Sequence, residues 1–210
     1  MEGFIKRKIK MFTTVSMICI CMTMLMQQRM LQTDWKITKT QQDLAQEVFR
    51  FHVLANSNSK EDQSLKMKVK EAVLSYMKNS MGNAENADEV KEWAILHKQD
   101  IENISENIVR QEGKKYAVKA KVTTGYFPDK TYGDVTFPAG MYEGLRVEIG
   151  KSCGKNWWCV LYPNLCFVDT VHAVVPEEGK QQLQSVLSEE EYEMVTAASK
   201  FKIKWYFLGE

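Results

Sequence analysis

Histidine is scarce in this chain, with only three among 210 residues, His52, His97 and His172. None adjoins a cysteine cluster in a zinc-ribbon pattern, and the five cysteines form no paired C-x-x-C units, so no metal site is expected. Charge of one sign is equally lacking. Lys and Arg total 28 against 27 Asp and Glu, a net of +1, which gives no strong field for gripping a phosphate backbone and argues against nucleic acid as a partner. Four prolines and 11 glycines are too few for a collagen-like or low-complexity chain, and no internal repeat is present. Signatures of catalysis are missing as well. No nucleophile elbow occurs. Gly150-Lys151-Ser152 looks like the end of a phosphate loop, but such a loop needs Gly five residues before its last Gly, and Leu145 stands there. Glu143 and Glu148 fall on expected strands among Lys and Arg, where exposed pairing accounts for them without acid–base work. No cofactor is expected.

What is present is a globular balance, 44% hydrophobic and 26% charged, in a length that suits about one domain plus a targeting segment. Lys6, Arg7, Lys8 and Lys10 precede an uncharged run, MFTTVSMICICMTMLM, at 11–26. A basic start followed by an apolar run is what the export machinery reads. As a helix these 16 residues rise only about 24 Å, short of a hydrocarbon core of about 30 Å, so a cleaved signal and an uncleaved anchor are both open. Membrane contact through this segment is expected at least transiently. Removing 1–26 takes away four basic residues and one acidic one and leaves 24 against 26, a net of −2.

Outside the cytoplasm, the remaining Cys153, Cys159 and Cys166 meet conditions in which disulfides persist. Cys159 and Cys166 flank Pro163, where a bend can bring them within bonding distance. Buried reduced thiols are the alternative, and Cys153 is either free or a competing partner.

Residues 27–47 are rich in Gln and read as a polar linker. VFRFHVLA (48–55) alternates Phe49, Phe51 and Val53 with Arg50, His52 and Leu54, the period of a strand. Ser59 with Asp62 opens a helix that ends near Gly82, and Asn86 with Glu89 opens a second that runs through His97 to Gly113. His97 lies on the apolar stripe of this second helix and reads as a packed residue. Tyr116 to Val122 and Met141 to Ile149 alternate as half-buried strands, with a turn at Phe137-Pro138-Ala139-Gly140. The fold class is α+β, a two-layer domain with a mainly antiparallel sheet packed against two helices, occupying 48–175 and preceded by the N-terminal signal or anchor. Residues 176–210 read as a helical extension and a terminal strand, KFKIKWYF.

The segment NWWCVLYPNLCF (156–167) concentrates the remaining signal. Adjacent strand residues point to opposite faces, so one of Trp157 and Trp158 turns inward and the other outward. An outward Trp on a pinned loop is an interface anchor. The competing enzymatic reading is an exported thiol hydrolase or cell-wall-modifying enzyme, with Cys159 as nucleophile and His52 as base.

Two stretches, FRFHVLANSNSKEDQSLKMKVKEAV (49–73) and YGDVTFPAGMYEGLRVEIGKSCGKNWWCVLYPNLCFVD (132–169), resemble the stage II sporulation protein R family of endospore formers. The family pattern is R-x-x-x-L-A-N-S-[DN]-S leading into a basic helix, then Y-G-x-x-x-x-P-A-G-x-Y-E-A and G-x-x-x-G-x-N-W-W-C-V-L-[FY]-P-x-L-C-F. Gly144 replaces the small Ala of that pattern, and Cys153 lies in its variable loop. The resemblance implies a non-catalytic signalling protein, secreted from the forespore into the intermembrane space of the sporulation septum. There it would activate a membrane-embedded aspartic protease of the mother cell, of the stage II sporulation protein GA type, which processes the precursor of sigma factor E. By analogy, the partner-binding residues would be Asn156, Trp157, Trp158 and Tyr162 with Arg50 and Asn56 nearby, and Cys159 and Cys166 would be the disulfide.

Overall fold

The computed structural model describes residues 2–166, 175 and 177–196. The terminal strand expected at KFKIKWYF, and His172, lie outside the described residues. The chain divides into two units, residues 1–40 and 41–210.

The first helix, α1, spans Glu2–Glu47. No Gly or Pro occurs between Phe4 and Leu54, so the Gln-rich stretch after the apolar run contains nothing that breaks a helix. The residues read as a polar linker are therefore helical. In the first unit the large apolar side chains, among them Phe12, Met17 and Met26, are exposed, and the helix is long and apolar enough to cross a membrane.

The second unit includes the end of α1, whose Leu44 is fully buried. Its strand β1, Phe49–Leu54, leads to three helices, α2 (Lys60–Ser80), α3 (Ala87–Leu96) and α4 (Lys98–Gln111). Ser59 caps α2 by accepting from the Asp62 amide at 3.1 Å, and Asn86 caps α3 by accepting from the Glu89 amide at 2.9 Å. The second expected helix is in fact two. His97 ends α3 and its ring stacks on Trp93, centroids 4.3 Å apart, with Nδ1 2.9 Å from the Trp93 carbonyl oxygen. The backbone of His97, at φ −96° and ψ 11°, ends one helix and starts the next between two stripes that periodicity alone runs together.

Strands β2 (Val118–Phe127), β3 (Lys130–Tyr132), β4 (Val135–Phe137), β5 (Gly140–Ile149) and β6 (Asn156–Tyr162) follow, then α5 (Glu177–Val186) and a helical stretch at 189–196. The main sheet has the order β2-β5-β1-β6, and β3 and β4 form a hairpin. β1 runs parallel to β5 and antiparallel to β6, and β2 is antiparallel to β5. The fold is α+β with a mixed sheet.

All six residues of β1 are buried, because both faces of the sheet are covered where β1 crosses it. On one face Phe49, Phe51, Val53, Leu145 and Val147 pack against Leu65, Val69, Val90 and Ile101 of the helices. On the other, Leu44, Val48, Phe127, Val135, Phe137, Tyr142, Val160 and Leu183 form a second core. This second core sets the burial at the start of β5. Tyr142 is buried and Met141 exposed.

Candidate functional site

Directly paired strand residues share a face, so the face away from the three helices resolves into rows across β6, β1, β5 and β2. One row is Val160, Arg50, Gly144 and Thr123. The next is Trp158, His52, Arg146 and Lys121, and the third Asn156, Leu54, Glu148 and Lys119. The structure thereby brings three of the sequence candidates, Arg50, Trp158 and Asn156, onto one face from segments about a hundred residues apart. Trp157 lies on the opposite face. It meets Phe51 edge-on at 5.7 Å, with the Lys70 Nζ 5.2 Å from its ring. Both tryptophans are half-buried. The inward and outward pair expected from sequence is instead two partly exposed rings on the two faces of an edge strand.

The first row lies under the second core. Arg50 is 0% exposed, and its guanidinium carbon sits 4.9 Å from the ring centre of Phe127, 5.0 Å from Tyr142 and 5.9 Å from Phe137. None of its side-chain nitrogens has a hydrogen-bond partner among the described residues. Burial lowers its pKa from the ordinary value, against the opposing effect of Tyr132 and Tyr142, and a guanidinium keeps its proton nonetheless. Gly144 lets the two strands and Phe127 close up here, since a Cβ there would lie 2.5 Å from the Arg50 carbonyl oxygen and 3.1 Å from Phe127 Cζ and would push them apart. Arg50 is therefore a buried support. In this arrangement it is closed to direct contact with a partner.

In the second row His52 stacks on Trp158, centroids 4.6 Å apart and planes at 23°, and both rings pack on Phe127 at 5.0 Å. Burial, reinforced by Arg146 and then Arg50 against the opposing Glu148, drives the His52 pKa down to about 3. The imidazole is neutral at ordinary pH, and its ring serves as an aromatic shelf beneath Trp158.

The turn after β1 locks the loop between β5 and β6. Asn56 donates from Nδ2 to Asp62 Oδ2 at 2.8 Å and accepts on Oδ1 from the Lys151 amide at 3.0 Å. The Gly154 amide donates to the Ala55 carbonyl at 2.9 Å, and the Lys155 amide to Asn58 Oδ1 at 2.7 Å. Buried Lys66 adds a bond from Nζ to the Lys155 carbonyl at 3.2 Å. Two glycines permit the approach. Gly150 has φ +57° and a Cβ on it would fall 2.4 Å from Asn56 Oδ1, while one on Gly154 would fall 2.2 Å from the Ser57 carbonyl. Hydrogen bonds from Ser57 (2.6 Å) and Asn56 hold the Asp62 carboxyl below its usual range against burial. Asn56 is thus a latch for the loop that leads into Asn156.

Tyr162 is buried as well, its hydroxyl donating to the Glu85 carbonyl, and it fixes the far end of β6. Cys159 and Cys166 form a disulfide with Cα atoms 5.4 Å apart, and Cys153 is free and exposed. The proposed thiol–imidazole pair is not assembled. Cys159 pairs with Phe51 and so shares the helix-side face, whereas His52 occupies the other. The sulfur is also engaged in the disulfide, and the residue is 1% exposed. Among the described residues no three His, Cys, Asp or Glu side chains converge on a point that could hold a metal ion.

Phe127 and Arg146 were missed in the sequence. Alternation from Lys119 to Phe127 places Lys119, Lys121 and Phe127 on one face, but only the pairing of β2, β5 and β1 brings that face under Trp158.

These features define an α+β domain preceded by an apolar N-terminal helix of the kind that serves as a signal or an anchor. A family model described as stage II sporulation protein R matches residues 45–172, and the chain belongs to this family of sporulation proteins. Stage II sporulation protein R of Bacillus subtilis (strain 168) is 31% identical over 152 residues, which cover 72% of this chain and 68% of that protein. No solved structure matches the chain.

Proposed function

We propose that this chain is a sporulation signal, secreted from the forespore into the intermembrane space of the septum, where it activates a membrane-embedded aspartic protease of the mother cell. That protease then processes the precursor of sigma factor E. The reading rests on the family match over 45–172, which takes in the described strands of the main sheet. The apolar N-terminal helix supports export. In this reading Asn156, Trp157 and Trp158 touch the partner, while Arg50, Asn56 and Tyr162 hold them in place from within the domain. Activation requires tighter binding to the active state of the protease than to the inactive one, since equal affinity for both shifts nothing.

The test is co-expression of the chain, the protease and the sigma factor precursor in a non-sporulating host, with and without residues 1–26, followed by immunoblotting of the precursor. Cleavage that needs both the chain and its export segment is the expected result. No cleavage with all three proteins correctly located overturns the reading. Trp157→Ala and Trp158→Ala variants that fold and still trigger normal cleavage remove the contact assignment alone.

A further inference from the structure

Beside the Trp158–His52 stack the same sheet face turns basic. The row positions Lys119, Lys121 and Arg146, with Lys151 in the adjoining turn, set four positive charges against one acid, Glu148. The exported part of the chain carries a net of −2, so this +3 is a segregated charge. Glu148 is already engaged, accepting from Lys121 at 2.9 Å and ion-paired with the Arg146 guanidinium at 2.6 Å. Lys119 and Lys151 have no carboxylate partner among the described residues. Together with Arg146, Glu148, Gly150 and Ser152 they line an open hollow of about 340 Å³, room for one or two carboxylate side chains.

We propose that this face receives an extended acidic segment of the protein partner, with an apolar residue against the half-buried Trp158 and a carboxylate about four positions on, over Lys119 and Lys151. Successive rows lie two residues apart, about 7 Å along a strand, which is also the spacing of same-face residues in an extended peptide. Trp158 on β6 and Lys119 on β2 also stand three strands, about 14 Å, apart across the sheet, so the whole span of about 16 Å is that of four to five extended residues, and one peptide laid obliquely over the strands can meet both ends. Complementary charge would steer its encounter and fix its direction. The embedded Glu148 disfavours a continuous anionic surface such as a membrane, which would have to press on it too, whereas discrete carboxylates can avoid it. This inference rests on the partner-activating reading for the partner's identity, but the recognition chemistry is testable apart from it.

The direct test uses the full chain in neutral detergent and fluorescence anisotropy of a labelled peptide, Gly-Leu-Ser-Glu-Ser-Glu-Gly. Controls are the same peptide with Lys for Glu, and phosphatidylglycerol vesicles. The acidic peptide is expected to bind and to weaken roughly tenfold between about 50 and 300 mM salt. Lys119→Gln with Lys151→Gln should weaken it about tenfold, at unchanged melting temperature, since both side chains are exposed and neither change sets a second carboxylate opposite Glu148. Lys98→Glu, on α4, should have no effect. Absence of peptide binding, equal binding by the double variant, or binding to the vesicles alone overturns the proposal. In the co-expression assay, a double variant that triggers normal cleavage overturns it as well. Wild-type failure to trigger cleavage instead strikes the proposed function, and the peptide result then decides this inference by itself.

Discussion

Replacing Arg50 with Met tests whether aromatic faces alone hold its buried charge. Withdrawing an ionised group from water costs several kcal/mol even after relaxation. Three ring faces at 4.9, 5.0 and 5.9 Å offset this by about 2 kcal/mol each when desolvated, or roughly 4–6 kcal/mol together. The two nearly cancel. Met removes both while keeping a flexible, unbranched stem in the space, so Arg50→Met should change the unfolding free energy by no more than about 1.5 kcal/mol. Arg50→Ala also deletes the stem and leaves a cavity beneath Phe127, at a cost of about 3–5 kcal/mol. Arg50→Lys should rank below Met, because a compact ammonium is more strongly hydrated and cannot stack on the rings as a guanidinium does. The assay is urea unfolding of the full chain in neutral detergent at pH 7, followed by near-ultraviolet circular dichroism. A loss above about 3 kcal/mol for Arg50→Met would mean that the guanidinium donates to a specific acceptor, the signature of a broken buried pair, and the cation–aromatic account would be wrong.

Asn56→Ala removes the acceptor of the Lys151 amide and one donor to Asp62, and should cost about 2–3 kcal/mol in the same unfolding assay. His52, with its pKa driven down from 6.5 to about 3, gives the folded state an acid limit. Its contribution is fully present above about pH 6.5 and falls away as pH drops toward 3, where the unfolded chain binds a proton that the folded one refuses. At about 1.4 kcal/mol per unit this amounts to roughly 3 kcal/mol between pH 7 and pH 4.5. His52→Phe should lose correspondingly less over that interval, and an unchanged pH slope would show that the imidazole is not buried neutral. The disulfide closes a loop with a sequence separation of 7, so the Cys159→Ser, Cys166→Ser double variant should lose about 2.5 kcal/mol by chain entropy, measured as a lower urea midpoint.

Local patterns made much of this fold readable. Ser59 and Asn86 mark helix starts because their side chains satisfy amide groups that the first turn leaves open. Alternation revealed β1 and β5 because one side of each packs on the helices. The same alternation misled at Arg50 and His52, since polar residues on the second face of a strand ordinarily meet water. Here that face is roofed by Leu44 from the supposed linker, Phe127 and Phe137 from other strands, and Leu183 from α5. No window of sequence contains these together. The parallel pairing of β1 with β5 is equally remote in the chain, and with it the row that sets Arg146 beside His52 and Trp158. The break at His97 is one residue whose backbone leaves the helical angles, at φ −96° and ψ 11°, which periodicity does not register.

The two motif blocks that identify the family are two halves of one construction. The L-A-N-S turn of the first supplies the carbonyl and amide groups that the G-x-x-x-G loop of the second must approach. Gly150 and Gly154 are glycines because Asn56 and Ser57 occupy the space where their Cβ atoms would go. The Arg of the first block lies one row from the second Trp of the other block, with Phe127 touching both. Most positions in these motifs are therefore accounted for by folding, and loss of activity on mutating Asn56 or Arg50 would report first on stability. Lys119 and Lys151 differ, because their side chains are exposed and hold no bond that the fold needs, the Lys151 latch bond being made by its backbone amide. Substitutions there separate recognition from folding.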